Sequence, residues 1–273
     1  MTTPLTDPVL VLGGTGTTGS RVAAGVRAAG VPARAAGRRT EPPFDWTDPG
    51  TWDAVLDGIG RMYLLLPDDV DLPAGFLERA AAAGVRRVVL HSDRAVDLME
   101  VTRLQEAERA VRASGLEWTV IRPDWFAQNF ETFFRDAVLE GELVLPVGDA
   151  RQGFVDAQDI ADVAVRALTT DGHVGEVLEL TGPQALSFAE AAEVVGAAAG
   201  RTVRFDGTPE AYRAAMGAAG LPPEVVEELV TRFGAVAAAG DTTPTGTVER
   251  VLGRPARSLA QYAQEAAARG VWA

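Results

Sequence analysis

Short apolar runs alternate along the first half of the chain with longer segments of helical composition or periodicity. The strand-like runs are Val9–Leu12, Ala33–Ala36, Met62–Leu66, Arg87–Leu90 and Trp118–Ile121, with a shorter one around Phe44. The helical segments are Ser20–Ala29, Gly50–Asp57, Leu72–Ala83, Val96–Ser114 and Phe126–Leu139. Turn signals such as Ala-Gly-Val and Ser-Gly-Leu close several of them, because glycine adopts the left-handed conformation that ends a helix. This alternation predicts βαβ units around a parallel sheet, an α/β fold.

After about residue 140 the texture changes. The pattern there predicts a hairpin at Leu143–Phe154, a helix opened by Asp156 or Asp159, a strand at Val177–Leu180 and then mainly alanine-rich helices. No fixed-period repeat is present. Gly240–Gly246, GDTTPTG, reads as a loop rather than a linker.

The run from Val9 to Leu12 leads into Gly13-Gly14-Thr15-Gly16-Thr17-Thr18-Gly19, and a helical segment follows. Strand, glycine turn and helix in that order form the first βα turn of a dinucleotide-binding fold. Glycines let the backbone approach a pyrophosphate closely, and the helix N-terminus offers it unpaired N–H groups. Thr15, Thr17 and Thr18 add hydroxyl donors. At the end of the second run an acid would accept from the ribose 2′-hydroxyl, whereas RAAGRRT places Arg38 and Arg39 there. Guanidinium groups match a 2′-phosphate, so NADP(H) is the expected cofactor. Asp45 and Trp46 are candidates for flanking the adenine.

Composition narrows the chemistry. With 47% hydrophobic and 23% charged residues in 273, the chain belongs among ordinary globular proteins. The formal net charge of −13, with no basic stripe, argues against nucleic acid. No run has the length of a membrane span, and MTTPLTDP lacks the pattern of a signal peptide, so a cytoplasmic location is expected. Cysteine is absent, and only His91 and His173 are available as imidazole ligands, so no metal site is expected. All 25 basic residues are arginine. A Schiff-base lysine and a Tyr-x-x-x-Lys proton-transfer pair are thereby excluded.

Several stretches carry a family resemblance. GGTGTTGS, LLLPDD, GVRRVVLHS, EAERAVRASGLEWTVIRPDWFAQNF, VDAQDIADVAVRAL and LTGPQALSFAEAAEVVGAAAGR resemble the NmrA-like group of atypical short-chain dehydrogenases/reductases over nearly the whole chain. HSDRAVD together with RPDWFAQNF is similar to the branch that contains the ergot-alkaloid festuclavine and agroclavine dehydrogenases.

The resemblance implies a Rossmann-type doubly wound sheet with a small, mostly helical C-terminal substrate cap. Residues 1–150 are then the NADP-binding core. Residues 151–273 complete that core and form the cap, as one integrated unit. It also implies that Leu66, Pro67, His91, Ser92 and Pro123 line the nicotinamide half, with Trp125, Phe126 and Asn129 close to the substrate. Exposed helices of such a fold often pair, so a homodimer stays open.

Without a tyrosine–lysine pair, the proton step needs another acid, or an acceptor that is already cationic, such as an iminium. Asp93, Asp97, Glu100 and Asp124 lie just beyond the Arg87–Leu90 and Trp118–Ile121 runs, where carboxylates would hold a cation. His91 is a candidate donor to substrate or cofactor. His91, Asp93 and Trp125 are the candidate catalytic residues, and Asp97, Met216 and Phe233 join the candidate substrate contacts, with Tyr212 beside them in the cap. Phe130, Phe133 and Phe134 share the helical spacing of Trp125 and Phe126 and read mainly as core. Asp156 and Asp159 read as helix-start residues.

The expected function is an NADPH-dependent reductase, in specialised metabolism, that acts on an imine, iminium or activated C=C or C=O group of a small apolar molecule. A cofactor sensor without turnover and a non-redox isomerase or cyclase are the alternatives.

Overall fold

A computed structural model describes residues 7–273; the MTTPLT stretch, on which part of the reading against a signal peptide rests, lies outside the described residues. The first half contains β1 (Val9–Leu12), α1 (Thr17–Ala28), β2 (Ala33–Ala36), a 3-10 turn at Pro49–Thr51 running into α2 (Trp52–Leu56), β3 (Arg61–Leu64), α3 (Phe76–Ala82), β4 (Arg87–His91), α4 (Thr102–Ala113) and β5 (Glu117–Pro123). The chain continues through a 3-10 segment at Ala127–Glu131, α5 (Arg135–Glu140), β6 (Glu142–Val144), α6 (Ala157–Thr169) and β7 (Glu176–Leu180). It ends with α7 (Phe188–Ala198), β8 (Arg204–Asp206), α8 (Pro209–Ala218), α9 (Pro223–Ala239), α10 (Thr247–Leu252) and α11 (Leu259–Ala268).

Six parallel strands form one sheet in the order β2-β1-β3-β4-β5-β7. Successive side chains of a strand point to opposite faces. Leu10, Leu12, Met62, Leu64, Val88 and Leu90 therefore face a core shared with α2, α3 and α4. Val9, Val11, Tyr63, Val89 and Ile121 face the opposite core, shared with α1 and α6. Burial on both faces explains why these strands read as unbroken apolar runs. A third core, containing Phe130, Phe154, Phe188, Tyr212 and Tyr262, gathers residues of α5, α7, α8, α9 and α11 beside the main sheet. After β2 the chain returns past β1 to β3, so the strand order reverses at β1. Ligand clefts of open α/β sheets lie at such a point, beyond the carboxyl ends of the strands. Among the described residues, no helix is long and apolar enough to cross a membrane.

Several local expectations need correction. No strand forms at Phe44; its ring instead packs edge-on to Trp46, with centroids 4.8 Å apart, inside the first core. The hairpin expected at Leu143–Phe154 is absent, because β6 pairs in parallel with β8, far along the chain. The single helix expected over Phe126–Leu139 is broken. Phe126 bridges to Val155, with the Ala127 N–H donating to Val155 O and the Val155 N–H to Trp125 O, and this fixes the backbone in an extended form where the helix would start. The helix expected over Val96–Ser114 begins only at Thr102.

Candidate functional site

The glycine turn joins β1 to α1. Gly13 has φ +69°, a conformation suited to glycine, and its carbonyl accepts from the Gly16 N–H at 2.9 Å. A Cβ on Gly19 would lie 2.2 Å from Gly13 O, so the helix can start this close to the strand only with glycine there. At Gly16 the surroundings are open: an added Cβ would meet nothing nearer than Gly13 O at 3.4 Å. Gly16 is also the N-cap of α1 and has no side chain to cap the first-turn N–H groups, which lack intrahelical acceptors. The result is a cradle of backbone donors at the positive end of a 12-residue helix, open where an anion would rest. The residues thus fit a dinucleotide pyrophosphate.

Beyond β2 the Thr40 hydroxyl donates to Gly37 O at 2.8 Å and accepts from the Gly37 N–H at 3.1 Å. This knot holds the loop on which Arg38 and Arg39 stand exposed. Asp45 turns toward Thr47, whose N–H and hydroxyl hold its carboxyl below the usual range, with the Arg38 charge adding to the effect. Trp46 is buried between Phe44 and Phe76, so it presents little surface to a ligand.

A cleft of about 590 Å³ begins at Thr17 and Thr18 of this cradle and runs across the ends of β3, β4 and β5. Leu65 and Leu66 follow β3 into its wall, and His91, Ser92 and Asp93 follow from β4. Trp125, Phe126 and Asn129 close it from the segment after β5. Met99, Arg103, Leu104, Thr132 and Phe133 also line it, as do Asp68, Ala95, Asp124 and Gln128. Phe133 stands at the mouth, 81% exposed. The sequence reading placed Phe133 mainly in the core, and Met99, Arg103 and Thr132 were not among its candidates; the side a residue takes here depends on the break between the 3-10 segment and α5. Pro67, Asp97, Pro123, Met216 and Phe233 lie outside the lining. Met216 and Phe233 pack at the edge of the third core, where Phe233 sits 6.1 Å from the Trp125 ring and the same distance from Tyr212.

The polar groups of the cleft are held from behind. Fully buried Tyr63 places its hydroxyl 2.5 Å from His91 Nδ1. Burial lowers the imidazole to a pKa of about 4, so it is neutral near pH 7. Ser92, which lines the cleft, donates to Glu108 Oε1 at 2.6 Å. Burial by itself would raise Glu108, but Arg122, Ser92 and Arg112 outweigh it and hold the carboxyl below its usual range. Asp93 accepts from the Ala95 N–H at 2.6 Å, yet burial, aided by the nearby Asp124 charge, raises its carboxyl to a pKa of about 6.

Four other acids are engaged, whereas Glu100 is exposed. Asp97 meets Arg122 at 3.0 Å, and Asp124 meets Arg94 at 3.3 Å while accepting from the Trp125 and Gly153 N–H groups. Asp156 caps α6 through the Gln158 N–H, and Asp159 pairs with Arg254 at 2.7 Å, which accounts for both as structural groups. Among the described residues, no group of three or more acidic or histidine side chains is placed to hold a metal ion.

A glycine cradle at the reversal point of a parallel sheet, opening into a partly aromatic cleft, defines a dinucleotide-binding α/β protein of the Rossmann class. The family model described as NmrA-like matches residues 80–265. The NAD(P)H azoreductase of Xenophilus azovorans is 34% identical over 280 residues, which span 95% of this chain and 98% of that protein. This chain therefore belongs to the NmrA-like family. Festuclavine synthase I of Penicillium roqueforti is 28% identical over 94% of this chain and 97% of its own. The solved structure of the NADPH-dependent quinone oxidoreductase QOR2 of Escherichia coli, complexed with NADPH, shares the fold with a TM-score of 0.81 at 22% identity, over 94% of this chain and 99% of that one.

Proposed function

We propose that this protein is an NADPH-dependent oxidoreductase that reduces a polarised double bond of a small, largely apolar and uncharged molecule, of the quinone, enone or azo type. One observation carries the reading: a single cleft leads from the anion cradle at Thr17 and Thr18, past His91 and Asp93, to the aromatic surface of Trp125, Phe126 and Phe133. The names of the azoreductase and quinone oxidoreductase relatives point the same way.

In this reading the first turn of α1 binds the pyrophosphate, and Arg38 with Arg39 recognises the 2′-phosphate. NADPH supplies a hydride when bound. The aromatic walls orient the acceptor and exclude water, and Asp93 delivers the proton that completes a two-electron reduction. Its pKa of about 6 suits that task, because a useful fraction remains protonated near neutral pH. No lysine exists to assist a tyrosine. Asp97 and Asp124 already neutralise arginines, so these two carboxylates offer a cationic iminium little free charge.

The test is NADPH oxidation by the purified protein against a panel of quinones, azo dyes, enones and cyclic iminium ions. Turnover with one of the neutral classes, and a preference for NADPH over NADH, are expected. Tight NADPH binding without oxidation by any member would remove the enzyme reading and leave a cofactor sensor.

A further inference from the structure

The proposed mechanism leaves one buried pair unused. Tyr63 lies on β3 and His91 on the neighbouring strand β4; Tyr63 is in register with Val89, so the two side chains are diagonal neighbours on the same sheet face. Their rings stand at 84° with centroids 6.0 Å apart, and the phenol oxygen reaches Nδ1. On its other side His91 meets the edge of Phe126, with centroids 5.7 Å apart. Nε2 takes no hydrogen bond from the described residues, is not among the enclosed polar atoms that lack a partner, and belongs to a side chain that lines the cleft.

A neutral imidazole donates from one nitrogen and accepts at the other. If Nδ1 carried the proton, it would donate to the phenol oxygen and leave the phenol proton with no acceptor inside an apolar core. An unmade donor of that kind is costly. With the phenol donating to Nδ1, its proton is used, and the imidazole proton must sit on Nε2, facing the cleft. We propose that Tyr63 is a positioning residue that locks His91 in the Nε2–H tautomer, and that His91 is thereby a fixed hydrogen-bond donor which selects acceptors presenting an oxygen or nitrogen lone pair. The lock follows from the pair alone. The selection of lone-pair acceptors rests on the oxidoreductase reading above.

Burial favours the same state, because it keeps the imidazole neutral and pushes the phenol up, so neither group ionises near neutral pH. A protonated iminium, which offers an N–H rather than a lone pair, meets a like donor at this position. A quinone or enone oxygen, or an azo nitrogen, meets its complement.

The experiment is a long-range nitrogen–proton correlation spectrum of the nitrogen-15-labelled full-length protein. His91 and His173 are the only histidines, so a His173→Gln variant assigns the signals. Expected is an Nε2–H tautomer for His91 that stays unchanged between about pH 5 and pH 8. Tyr63→Phe, which keeps the ring and removes only the hydroxyl, is expected to give a mixture of tautomers and to lower kcat for a neutral acceptor about tenfold with little change in KM. An Nδ1–H tautomer in the wild-type spectrum overturns the lock, and so does an unaltered tautomer in Tyr63→Phe. The Nδ1–H outcome in the wild-type spectrum overturns the lock even if the variant folds poorly. A locked tautomer in a protein that turns over nothing in the panel refutes the reductase reading and leaves the lock standing.

Discussion

Arg122 of β5 grips Glu108 of α4 with two parallel bonds, Nε to Oε1 and Nη2 to Oε2, each 2.8 Å long. Arg112 adds a third donor at 2.7 Å, and Ser92 a fourth. The carboxylate is 1% exposed, so its charge is carried by these partners rather than by water. Through Ser92 the network fixes the chain leaving β4, at the point where it enters the cleft.

Removing that charge leaves Arg122 partly buried, with only the more exposed Asp97 as a charged partner. Glu108→Gln is expected to cost about 3 kcal/mol, in the range seen when one partner of a buried ion pair is lost. Denaturant unfolding measures it, and a change below about 0.5 kcal/mol would show the network to be dispensable.

Asp93 should leave a mark on the pH profile. The carboxyl must be protonated to donate, so kcat is expected to fall as pH rises above about 6. In Asp93→Asn that slope should vanish and kcat should drop about a hundredfold. Stability adds an independent reading. The pKa is about 6 in the fold against the usual 3.8, so the folded protein holds the proton more tightly than the unfolded chain. The resulting penalty is absent below about pH 4, grows as pH rises between the two values, and is complete above pH 6. The asparagine variant is therefore expected to gain about 1–2 kcal/mol over wild type at pH 8, allowing for solvent screening, and little at pH 4. An equal effect at both pH values would contradict the raised pKa.

Arg38 projects from an exposed loop, so its side chain can be cut back without opening the core. Arg38→Ala is expected to raise KM for NADPH about tenfold to a hundredfold, the loss of one or two charge-assisted bonds, while KM for NADH and the melting temperature stay the same. An unchanged NADPH preference would assign the 2′-phosphate to other groups.

Much of the fold is legible in the sequence because its governing interactions are local. The β1 residues Val9–Leu12 read as a strand buried on both faces, and they are fully buried. Gly13 and Gly19 encode a tight turn in seven consecutive residues, and the helix begins at Thr17 within that stretch, three residues before the expected Ser20. The failures occur where distant chain decides. Leu143 looks like half of a hairpin, but its partner is Phe205. Phe126 has helical neighbours, yet a bridge to Val155 holds it extended. Phe44 looks like a short strand, while its ring is buried with Trp46 and Phe76.

The candidate site divides in the same way. Thr17, Thr18, Leu66, His91, Ser92, Asp93, Trp125, Phe126 and Asn129 all border one cleft, since the ends of parallel strands converge there. Charge pairing was beyond reach: Asp97 and Asp124 lie in acidic text but are matched in space with Arg122 and Arg94. Arg103 and Met99 carried no sequence signal beyond their place at the start of α4 and in the loop before it.

The sequence by itself determined the chemical inventory: no lysine, no cysteine, two histidines, a glycine turn after an apolar strand and a pair of arginines after the next. It also determined the order of the main-sheet strands, because backbone preference and burial pattern are written in neighbouring residues. Only the tertiary structure decided which carboxylates are neutralised, which one has its pKa raised, and which nitrogen of His91 meets Tyr63. Those properties depend on desolvation and on distances of a few ångströms between β3, β4, α4 and β5, and packing alone sets such distances.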